Sequence, residues 1–360
     1  MEQIDYCIVG GGVIGMLTAR ELALKNSEAS IVVLEKNSFV GEESTSRNSG
    51  VLHAGLYYPH QSQKHLLCRK GISLWRTLAS ELKVEINQCG KWLVASSSSS
   101  LNDLENLFSQ AQKNGVQGLR WATSDEVDSL KPFVKIEKAF LSPETSIISP
   151  SEVVRALDRE LANLGVILFK NCQLNELSQA STGFNVITSK DSFSTKVLIN
   201  CGGGHAPALR KLLGLHDVES VWVKGCYLKL NKKFYNERLI YPVPPKDLKG
   251  LGVHTSFDLD GQIRFGPNTV DCDRYEMSVP EDLVEMMYPA IKDLFRTVDK
   301  KELALDYCGI RSKIKKDGSL LTDFLIQSPL KNYIEALGIE SPGLTSSPAI
   351  VEKILEQIGR

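Results

Sequence analysis

The chain has 360 residues, which is enough for a sizeable core and for two domains. Its 42 Lys and Arg residues nearly balance 43 Asp and Glu residues, so the net charge of −1 gives no electrostatic case for binding nucleic acid or anionic lipid. The composition is that of an ordinary globular protein, and we expect its partner to be a small molecule.

The eight cysteines are scattered along the chain, without a CxxC pair or a Cys/His cluster at metal-ligand spacing. We therefore expect no metal site, and buried thiols in a reducing compartment. The N-terminal residues lack the basic and apolar regions of a secretory signal, and the apolar runs are too short to span a membrane. A cytoplasmic location is expected, and peripheral contact with the inner face of the membrane stays open.

The first predicted element is a buried strand at residues 6–9, which leads through glycines into an apolar-periodic helix at residues 16–24. The glycines have the spacing of the dinucleotide-binding fingerprint, in which they permit a tight turn, close approach of a pyrophosphate and helix–strand packing. The helix N-terminus offers free N–H donors to phosphate. The predicted dinucleotide contacts here are Gly10, Gly12, Val13, Ile14 and Gly15.

A second predicted strand, at residues 31–34, ends in Glu35. A carboxylate at this position accepts hydrogen bonds from ribose hydroxyls and repels the 2′-phosphate of NADP, which leaves FAD or NAD as the ligand. Lys36 then opens a polar loop at residues 36–47. The next stretch, residues 48–58, places His53 between small and apolar residues, as in a loop that packs around a flat ligand.

Helical spacing predicts helices at residues 66–82, 101–113 and 149–164, and strands are predicted at residues 91–95, 166–169, 184–188 and 197–200. The glycine cluster at residues 201–206 follows the last of these strands. We expect Gly202 and Gly203 to meet a flavin or its pyrophosphate. The cluster is not a second intact fingerprint, which argues against a pyridine-nucleotide disulfide reductase.

Residues 221–306 consist mostly of strand-like runs. Strands are predicted at residues 221–230, 239–243, 251–257 and 262–266, and a helix is predicted at residues 281–294. Asp260-Gly261 is a strong hairpin signal between the last two strands. Strands are predicted again at residues 306–313, 324–326 and 333–336, followed by a loop and a helix that starts at Pro348. The segment Gly343, Leu344 and Thr345 is expected at this helix N-terminus, where an electron-rich partner is favoured.

Several segments carry a family resemblance: STSRNSGVLHAGLYY at residues 44–58, INCGGGHA at 199–206, VWVKGCY at 221–227, YCGIR at 307–311 and GIESPGLTSSPAI at 338–350. With the fingerprint, this set is similar to the D-amino-acid oxidase-like (DAO) family of FAD-dependent oxidoreductases. Within that family it most closely resembles the L-2-hydroxyglutarate dehydrogenases/oxidases. The resemblance covers essentially the whole chain.

The resemblance implies an α/β fold: a Rossmann-like FAD-binding domain with a mixed, largely antiparallel β-sheet substrate domain, as in the glutathione-reductase-like FAD fold. We expect the FAD-binding domain to comprise residues 1–85, 145–218 and 307–360. The substrate domain would comprise residues 86–144 and 219–306. The expected cofactor is FAD, and the His53 loop is expected to add the FAD contacts Ser46, Arg47, Asn48, Ser49 and Gly50.

The resemblance also implies oxidation of L-2-hydroxyglutarate to 2-oxoglutarate, with hydride transfer from C2 to flavin N5. His53 is the expected base, because imidazole titrates near neutrality. Arg311 is expected to bind a carboxylate, since a guanidinium donates two parallel hydrogen bonds to it. A second anchor for the dicarboxylate is left open among Lys224, Tyr241, His254, Thr255 and Arg264.

Other functions remain open from the sequence. The substrate could instead be an amino acid, a secondary amine or glycerol 3-phosphate, because one fold supports several such reactions. A flavin-binding protein without turnover is a further alternative. The electron acceptor is expected to be oxygen, a quinone or a carrier protein.

Overall fold

The computed structural model describes residues 3–235, 237–244 and 252–358. Within them, the chain forms twenty-one strands: β1 (Gln3–Val9), β2 (Ile31–Leu34), β3 (Val51–Leu52), β4 (Ile86–Asn87), β5 (Lys91–Ala95), β6 (Arg120–Trp121), β7 (Lys138–Ser142), β8 (Ser146–Ile148), β9 (Ile167–Phe169), β10 (Leu174–Ala180), β11 (Gly183–Thr188), β12 (Ser192–Asn200), β13 (Val218–Leu230), β14 (Leu239–Pro242), β15 (His254–Phe257), β16 (Ile263–Gly266), β17 (Val270–Cys272), β18 (Leu303–Lys316), β19 (Ser319–Leu321), β20 (Leu325–Leu330) and β21 (Tyr333–Leu337).

The same residues form eight α-helices: α1 (Val13–Lys25), α2 (Gln63–Leu82), α3 (Leu101–Lys113), α4 (Ser124–Leu130), α5 (Pro150–Asn163), α6 (Ala206–Lys211), α7 (Leu283–Leu294) and α8 (Gly343–Leu355). None of these described helices combines the length and the apolar character needed to cross a membrane.

The first sheet has a parallel centre formed by β21, β12, β1, β2 and β9. Strand β11 extends it by antiparallel pairing with β12, and β10 in turn pairs antiparallel with β11. Both faces of the parallel centre are covered: Ile8 packs in the helical core, whereas Cys7 packs against the β10–β11 side. Burial on both faces explains why β2 is a continuous apolar run rather than an alternating one. The predicted Rossmann-like unit is confirmed.

Helices α1, α2, α5 and α8 pack together on one face of this sheet. The close approach of α2 and α8 requires Gly71, because a Cβ there would lie 2.1 Å from the Thr345 carbonyl oxygen. Helix α5 has the predicted start signal, with Ser149 Oγ accepting the Glu152 N–H and Pro150 in the first turn.

The second sheet has the order β15-β16-β13-β18-β19, with β17 paired to β13. Strands β13 and β18 pair antiparallel along most of their length and bring Cys226 opposite Cys308, where the two form a disulfide. The expectation of buried thiols therefore does not hold for this pair. The sequence could not show it, because 82 residues separate the two cysteines and only the strand register brings them together.

Two smaller sheets complete the fold, β14-β5-β7-β6 and β3-β8-β4. The first shares a hydrophobic core with the second sheet and with α3 and α7.

The predicted hairpin joins β15 and β16, with Gly261 at φ +82° and the Gln262 N–H donating to Asp258 Oδ1. The predicted strand at residues 251–257 begins at His254 in the structure, and Leu251 lies outside the described residues.

The sheets bear on the proposed division into domains. Strand β18 pairs with β13 in the antiparallel sheet, so the boundary drawn at residue 307 falls inside a strand. The division remains a proposal, as does its extension to residues 1–2 and 359–360, which lie outside the described ranges.

The predicted start of the last helix is wrong, because α8 begins at Gly343 and contains Pro348. Proline has no N–H to donate to the carbonyl of Leu344 four residues earlier. That carbonyl instead accepts hydrogen bonds from Trp75 Nε1 and Ser347 Oγ, both at 2.9 Å. These two donors replace the missing backbone bond and let the helix extend across the proline.

Candidate active site

A cavity of about 1320 Å³ lies between the parallel sheet and the antiparallel sheet. It is lined by the end of β1, the turn after β12, the loop after β2, the start of α8, and residues of β13 and β18. Two sequence-distant halves of the chain therefore enclose one site.

The glycine turn forms one end of the cavity. Gly10 has φ +112°, and a Cβ there would lie 2.3 Å from the Cys201 carbonyl oxygen. A Cβ at Gly15 would lie 2.0 Å from the Gly10 carbonyl oxygen. Gly12 precedes the first turn of α1 without a side-chain cap. The turn is thus closed to side chains, and main chain approaches the cavity at the helix N-terminus.

Glu35 lies at the end of β2, buried, and its carboxylate is held by main-chain donors. Its Oε2 accepts the Gly11 N–H at 3.0 Å, and its Oε1 accepts the Asn37 N–H at 2.7 Å. Burial raises the pKa of Glu35, although these two hydrogen bonds oppose the shift. The carboxylate is fixed at the cavity edge, where the sequence predicts a ribose contact.

The loop after β2 folds back over the turn. Thr45 Oγ1 accepts the Val13 N–H at 3.1 Å, and the Asn48 side chain donates to the carbonyls of Ser44 and Thr45. The predicted FAD contacts that line the cavity are Gly10, Gly12, Val13, Ile14, Glu35, Lys36, Arg47, Asn48, Ser49, Gly202, Gly203, Gly343, Leu344 and Thr345. Three further predicted contacts, Gly15, Ser46 and Gly50, are not among the lining residues.

A polar cluster stands beside the glycine turn after β12. Glu43 pairs with Lys36 and lies 3.5 Å from His205 Nε2. Burial raises the pKa of Glu43, but His205 and Lys36 lower it more, to about 2. His205 also contacts the rings of Trp222 and Tyr275. The predicted turn of Gly202 and Gly203 therefore sits next to a fixed ion-pair cluster.

His53 lies in the wall of the cavity, 7% exposed. Its main-chain N–H donates to Thr345 Oγ1 at 2.9 Å, and its carbonyl accepts from Cys68 Sγ at 3.2 Å. Its Nε2 lies 3.5 Å from Ser341 Oγ, and its buried Nδ1 has no partner among the described residues. Burial, and after it nearby Lys91 and His254, hold the pKa of His53 well below its usual value. The ring is therefore neutral near pH 7.

Arg311 projects from β18 into the same cavity. Its guanidinium donates to the main-chain carbonyls of Lys224 at 3.2 Å and Asn268 at 3.0 Å. A guanidinium has five N–H donors, so these two bonds orient the group without exhausting it. Gly225 makes room for it, since a Cβ there would lie 3.0 Å from Arg311 Nη2.

The candidate second anchors separate into two groups. Tyr241 and His254 line the cavity, with their rings stacked at 3.7 Å between centroids. Burial lowers the pKa of His254 to about 3. Lys224, Arg264 and Thr255 are not lining residues and are engaged elsewhere.

Their partners explain this placement. Lys224 Nζ pairs with Glu276 at 3.2 Å, and Arg264 pairs with Asp258 at 2.8 Å and with Asp306 at 2.5 Å. Thr255 Oγ1 accepts the Ile240 N–H at 2.8 Å.

The sequence reasoning missed Lys91, Tyr57 and Ser341. Ser341 lies in the segment at residues 338–350 and Tyr57 in the His53 loop, so each had a motif as a signal. Lys91 had none, because it opens an ordinary apolar strand and becomes notable only when its burial is known. Within the described part of the chain, no group of three or more His, Cys, Asp and Glu side chains is placed to hold a metal ion.

Comparison with known proteins decides the family. The model of the DAO family, described as FAD dependent oxidoreductase, matches residues 5–356. The chain belongs to this family. The mitochondrial L-2-hydroxyglutarate dehydrogenase of Arabidopsis thaliana is 30% identical, covering 100% of this chain and 84% of that protein. A glycerol 3-phosphate dehydrogenase of Caloramator mitchellensis is 28% identical, covering 99% of this chain and 74% of that protein.

Solved structures agree with the fold. The L-α-glycerophosphate oxidase of Mycoplasma pneumoniae, solved with FAD bound, gives a TM-score of 0.89 at 24% identity, covering 100% of this chain and 96% of that one. The glycine oxidase of Geobacillus kaustophilus gives 0.83 at 20% identity, covering 99% and 95%. These likenesses confirm the predicted fold class.

FAD is the cofactor of this family, and the residues present fit it. The glycine turn excludes side chains where the pyrophosphate would lie, and Glu35 is fixed where the sequence predicts a ribose contact. The start of α8 presents Leu344 and Thr345 to the cavity, where a helix N-terminus favours negative charge. The chain is therefore an FAD-dependent oxidoreductase.

Proposed function

We propose that this oxidoreductase converts L-2-hydroxyglutarate to 2-oxoglutarate. The observation that carries the proposal is that one cavity holds both His53, an uncharged imidazole, and Arg311, an oriented guanidinium. The full-length similarity to L-2-hydroxyglutarate dehydrogenases supports the same substrate.

His53 serves as the base in this proposal. Oxidation of a 2-hydroxy acid removes the hydroxyl proton and a hydride from C2. Bound FAD supplies the hydride acceptor. The low pKa of His53 keeps its ring free to accept the proton, and the bonds to Thr345 and Cys68 fix the main chain that carries it. Ser341 Oγ near Nε2 helps to orient the ring.

Arg311 holds the carboxylate adjacent to C2. Its two bonds to main-chain carbonyls preset the plane of the guanidinium, and its remaining donors can form a paired contact with a carboxylate. Fixing the carboxylate fixes C2 and its hydroxyl relative to His53. This positioning reduces the entropic part of the barrier.

Anaerobic titration of the holoenzyme tests the proposal. The flavin absorption is followed while L-2-hydroxyglutarate, its D isomer, glycerol 3-phosphate and a panel of amino acids and secondary amines are added separately. We expect L-2-hydroxyglutarate to bleach the flavin at the lowest concentration. Bleaching by an amino acid or amine, but by no hydroxy acid, would contradict the proposal.

Glycerol 3-phosphate is the second candidate substrate. The similarity to the Caloramator glycerol 3-phosphate dehydrogenase favours it, and Arg311 would suit a phosphate as well as a carboxylate. Preferential bleaching by glycerol 3-phosphate in the same titration would select this function. A flavin that no compound of the panel reduces would favour a binding protein without turnover.

The electron acceptor and the location belong to the same proposal. Oxygen, a quinone and a carrier protein are the candidates, and stoichiometric peroxide formation in air would identify an oxidase. The proposed location is the cytoplasm, with the inner face of the membrane as the alternative. Fractionation of cells before and after a high-salt wash separates these two locations.

A further inference from the structure

Several buried polar atoms without partners lie in and behind the wall of the cavity. Among the described residues, Lys91 Nζ, Tyr57 Oη and Tyr241 Oη are buried and have no hydrogen-bond partner, like His53 Nδ1. Buried polar groups in proteins are nearly always paired, so such a group calls for a partner from outside. This part of the wall is polar and lacks its partners.

Lys91 is the most unusual member of this group. It is fully buried at the start of β5, and its Nζ lies 4.8 Å from the centroid of the Tyr57 ring and 4.4 Å from that of Tyr241. Both rings line the cavity, so the ammonium lies one ring away from it. No ion pair among the described residues includes Lys91.

The groups that face Lys91 carry no fixed negative charge. Those on the described elements packed around it are His53 and Tyr57 of the loop after β3, Cys68 of α2, Cys89 before β5, Tyr241 of β14 and His254 of β15. Burial raises the pKa of Cys68 to about 12 and of Cys89 to about 11, so both remain protonated thiols. A buried cation without an anion is costly unless a ligand supplies one.

We propose that Lys91 determines specificity for a dianionic substrate: the second acidic group lies against the hydroxyls of Tyr57 and Tyr241, with the Lys91 ammonium behind them as its counter-charge. The inference rests on the proposed function and names its second anionic subsite. Arg311 then binds one acidic group and the Tyr57–Tyr241–Lys91 wall the other.

A dianion satisfies both parts of the cavity, whereas a monoacid satisfies one. With a single carboxylate on Arg311, Lys91 would remain buried without an anion. The same argument separates Lys91 from Lys224 and Arg264, which already have carboxylate partners. Lys91 discriminates between substrates through the two tyrosines, which make the direct contact.

The first test compares Lys91→Met with Lys138→Met in the holoenzyme. Lys138 is a matched control, because its Nζ also lies over an aromatic ring, 4.2 Å from the Trp121 centroid, but its side chain is 40% exposed and paired with Glu105. Dissociation constants are measured from the change in flavin absorption on binding glutarate, a dicarboxylate that is not oxidised, and butyrate, its monocarboxylate counterpart.

We expect Lys91→Met to weaken glutarate binding by roughly 30-fold or more, as for loss of one partner of a buried charge pair. Butyrate binding should change by less than about twofold, and Lys138→Met should change neither. An equal loss of affinity for glutarate and butyrate would show that Lys91 has only a structural role, and this would overturn the proposal. Unchanged affinity for glutarate would also overturn it.

A second measurement does not depend on the folding of Lys91→Met. Burial lowers the pKa of Lys91 to about 7. A carboxylate bound nearby raises it, so glutarate binding at about pH 7.5 should take up protons. His53 and His254 stay neutral there, because their pKa values are far lower. Uptake should be absent with butyrate and in Lys91→Arg; no uptake with glutarate in the unaltered enzyme would overturn the proposal.

The failure of this inference is distinguishable from that of the proposed function, since glutarate binding involves no turnover. Selective loss of glutarate binding in Lys91→Met supports the dianion subsite even if L-2-hydroxyglutarate does not reduce the flavin. Conversely, flavin reduction by L-2-hydroxyglutarate with unchanged glutarate binding in Lys91→Met keeps the function and removes the subsite.

Discussion

The two ends of the cavity are built on different principles. At the end formed by the glycine turn and Glu35, here called the nucleotide end, main-chain groups and glycines form the wall, and Glu35 and Thr45 accept hydrogen bonds from the Gly11 and Val13 N–H groups. At the reaction end, side chains from separate strands and loops converge, and His53 Nδ1 and Lys91 Nζ are buried without partners among the described residues.

This difference shows where the protein relies on its ligands. The main-chain geometry of the nucleotide end is already formed, so this end can bind FAD through its shape and its main-chain N–H donors. At the reaction end, His53 Nδ1 and Lys91 Nζ are held out of water without hydrogen-bond partners among the described residues, which costs free energy, and we propose that a bound substrate offsets this cost. Substitutions should therefore act on cofactor binding at one end and on substrate binding and rate at the other.

The largest effect is expected at the glycine turn, from Gly10→Ala. An added Cβ would lie 2.3 Å from the Cys201 carbonyl oxygen, so β1 and β12 must separate or the turn must open. We expect FAD affinity to fall by more than about 100-fold, since the turn must keep its shape for the pyrophosphate to approach. The measurement is flavin content after purification and reconstitution with added FAD.

Gly165→Ala is the matched control. Gly165 also has positive φ, +75°, but nothing lies within 4 Å of its added Cβ. It should cost only backbone strain, about 1 kcal/mol, and leave FAD binding intact. Equal loss of FAD in both variants would show that general destabilisation, and not the close approach at Gly10, is responsible.

The same contrast explains what could be predicted from the sequence. The nucleotide end is encoded in one local stretch, in which strand, spaced glycines, helix, second strand and Glu35 follow in order. The reaction end depends on strand pairing between distant segments. No local pattern shows that β5 buries Lys91 beside Tyr241, or that β13 and β18 place Cys226 opposite Cys308.

The prediction of α8 failed for another reason. Pro348 favours a helix start as a local signal, yet Trp75 of α2 supplies a hydrogen bond to the carbonyl that the proline leaves without a backbone donor. The donor comes from a residue far away in sequence. A tertiary contact therefore outweighs the local preference of proline for the first turn of a helix.

At the reaction end, the largest effect is expected from His53→Gln. Glutamine is of similar size but cannot accept the substrate proton as a base, so anaerobic flavin reduction by L-2-hydroxyglutarate should slow by about 10²–10⁴-fold. Flavin content should stay unchanged. Stopped-flow absorbance under saturating substrate measures the rate.

His65→Gln provides the comparison for this variant. His65 is also buried, but its ring nitrogens contact the Gln61 N–H and the Asn114 carbonyl oxygen, and it is not among the residues that line the cavity. We expect its reduction rate to stay within about threefold of the unaltered enzyme. An unchanged rate in His53→Gln would exclude His53 as the base.

A smaller effect is expected from Arg311→Lys. Lysine keeps the charge but cannot form the paired contact with a carboxylate, so the KM for L-2-hydroxyglutarate should rise by about 10–100-fold. Arg264→Lys is the control, because its partners Asp258 and Asp306 keep it out of the cavity. If both variants raised KM equally, the assignment of the carboxylate to Arg311 would fail.

The smallest effect is the pH dependence of stability that Lys91 imposes on the cofactor-loaded, substrate-free protein. Burial lowers the pKa of Lys91 to about 7 from 10.5, so between these values the unfolded chain binds a proton that the folded protein does not. Stability therefore rises with pH across this window, by at most about 5 kcal/mol.

Lys91→Met lacks this contribution, whereas Lys138→Met retains it. Urea unfolding from pH 7 to 10 should show the unaltered protein gaining stability relative to Lys91→Met. A difference that is constant with pH would mean that Lys91 has found an anion within the fold, and the contrast between the two ends of the cavity would disappear.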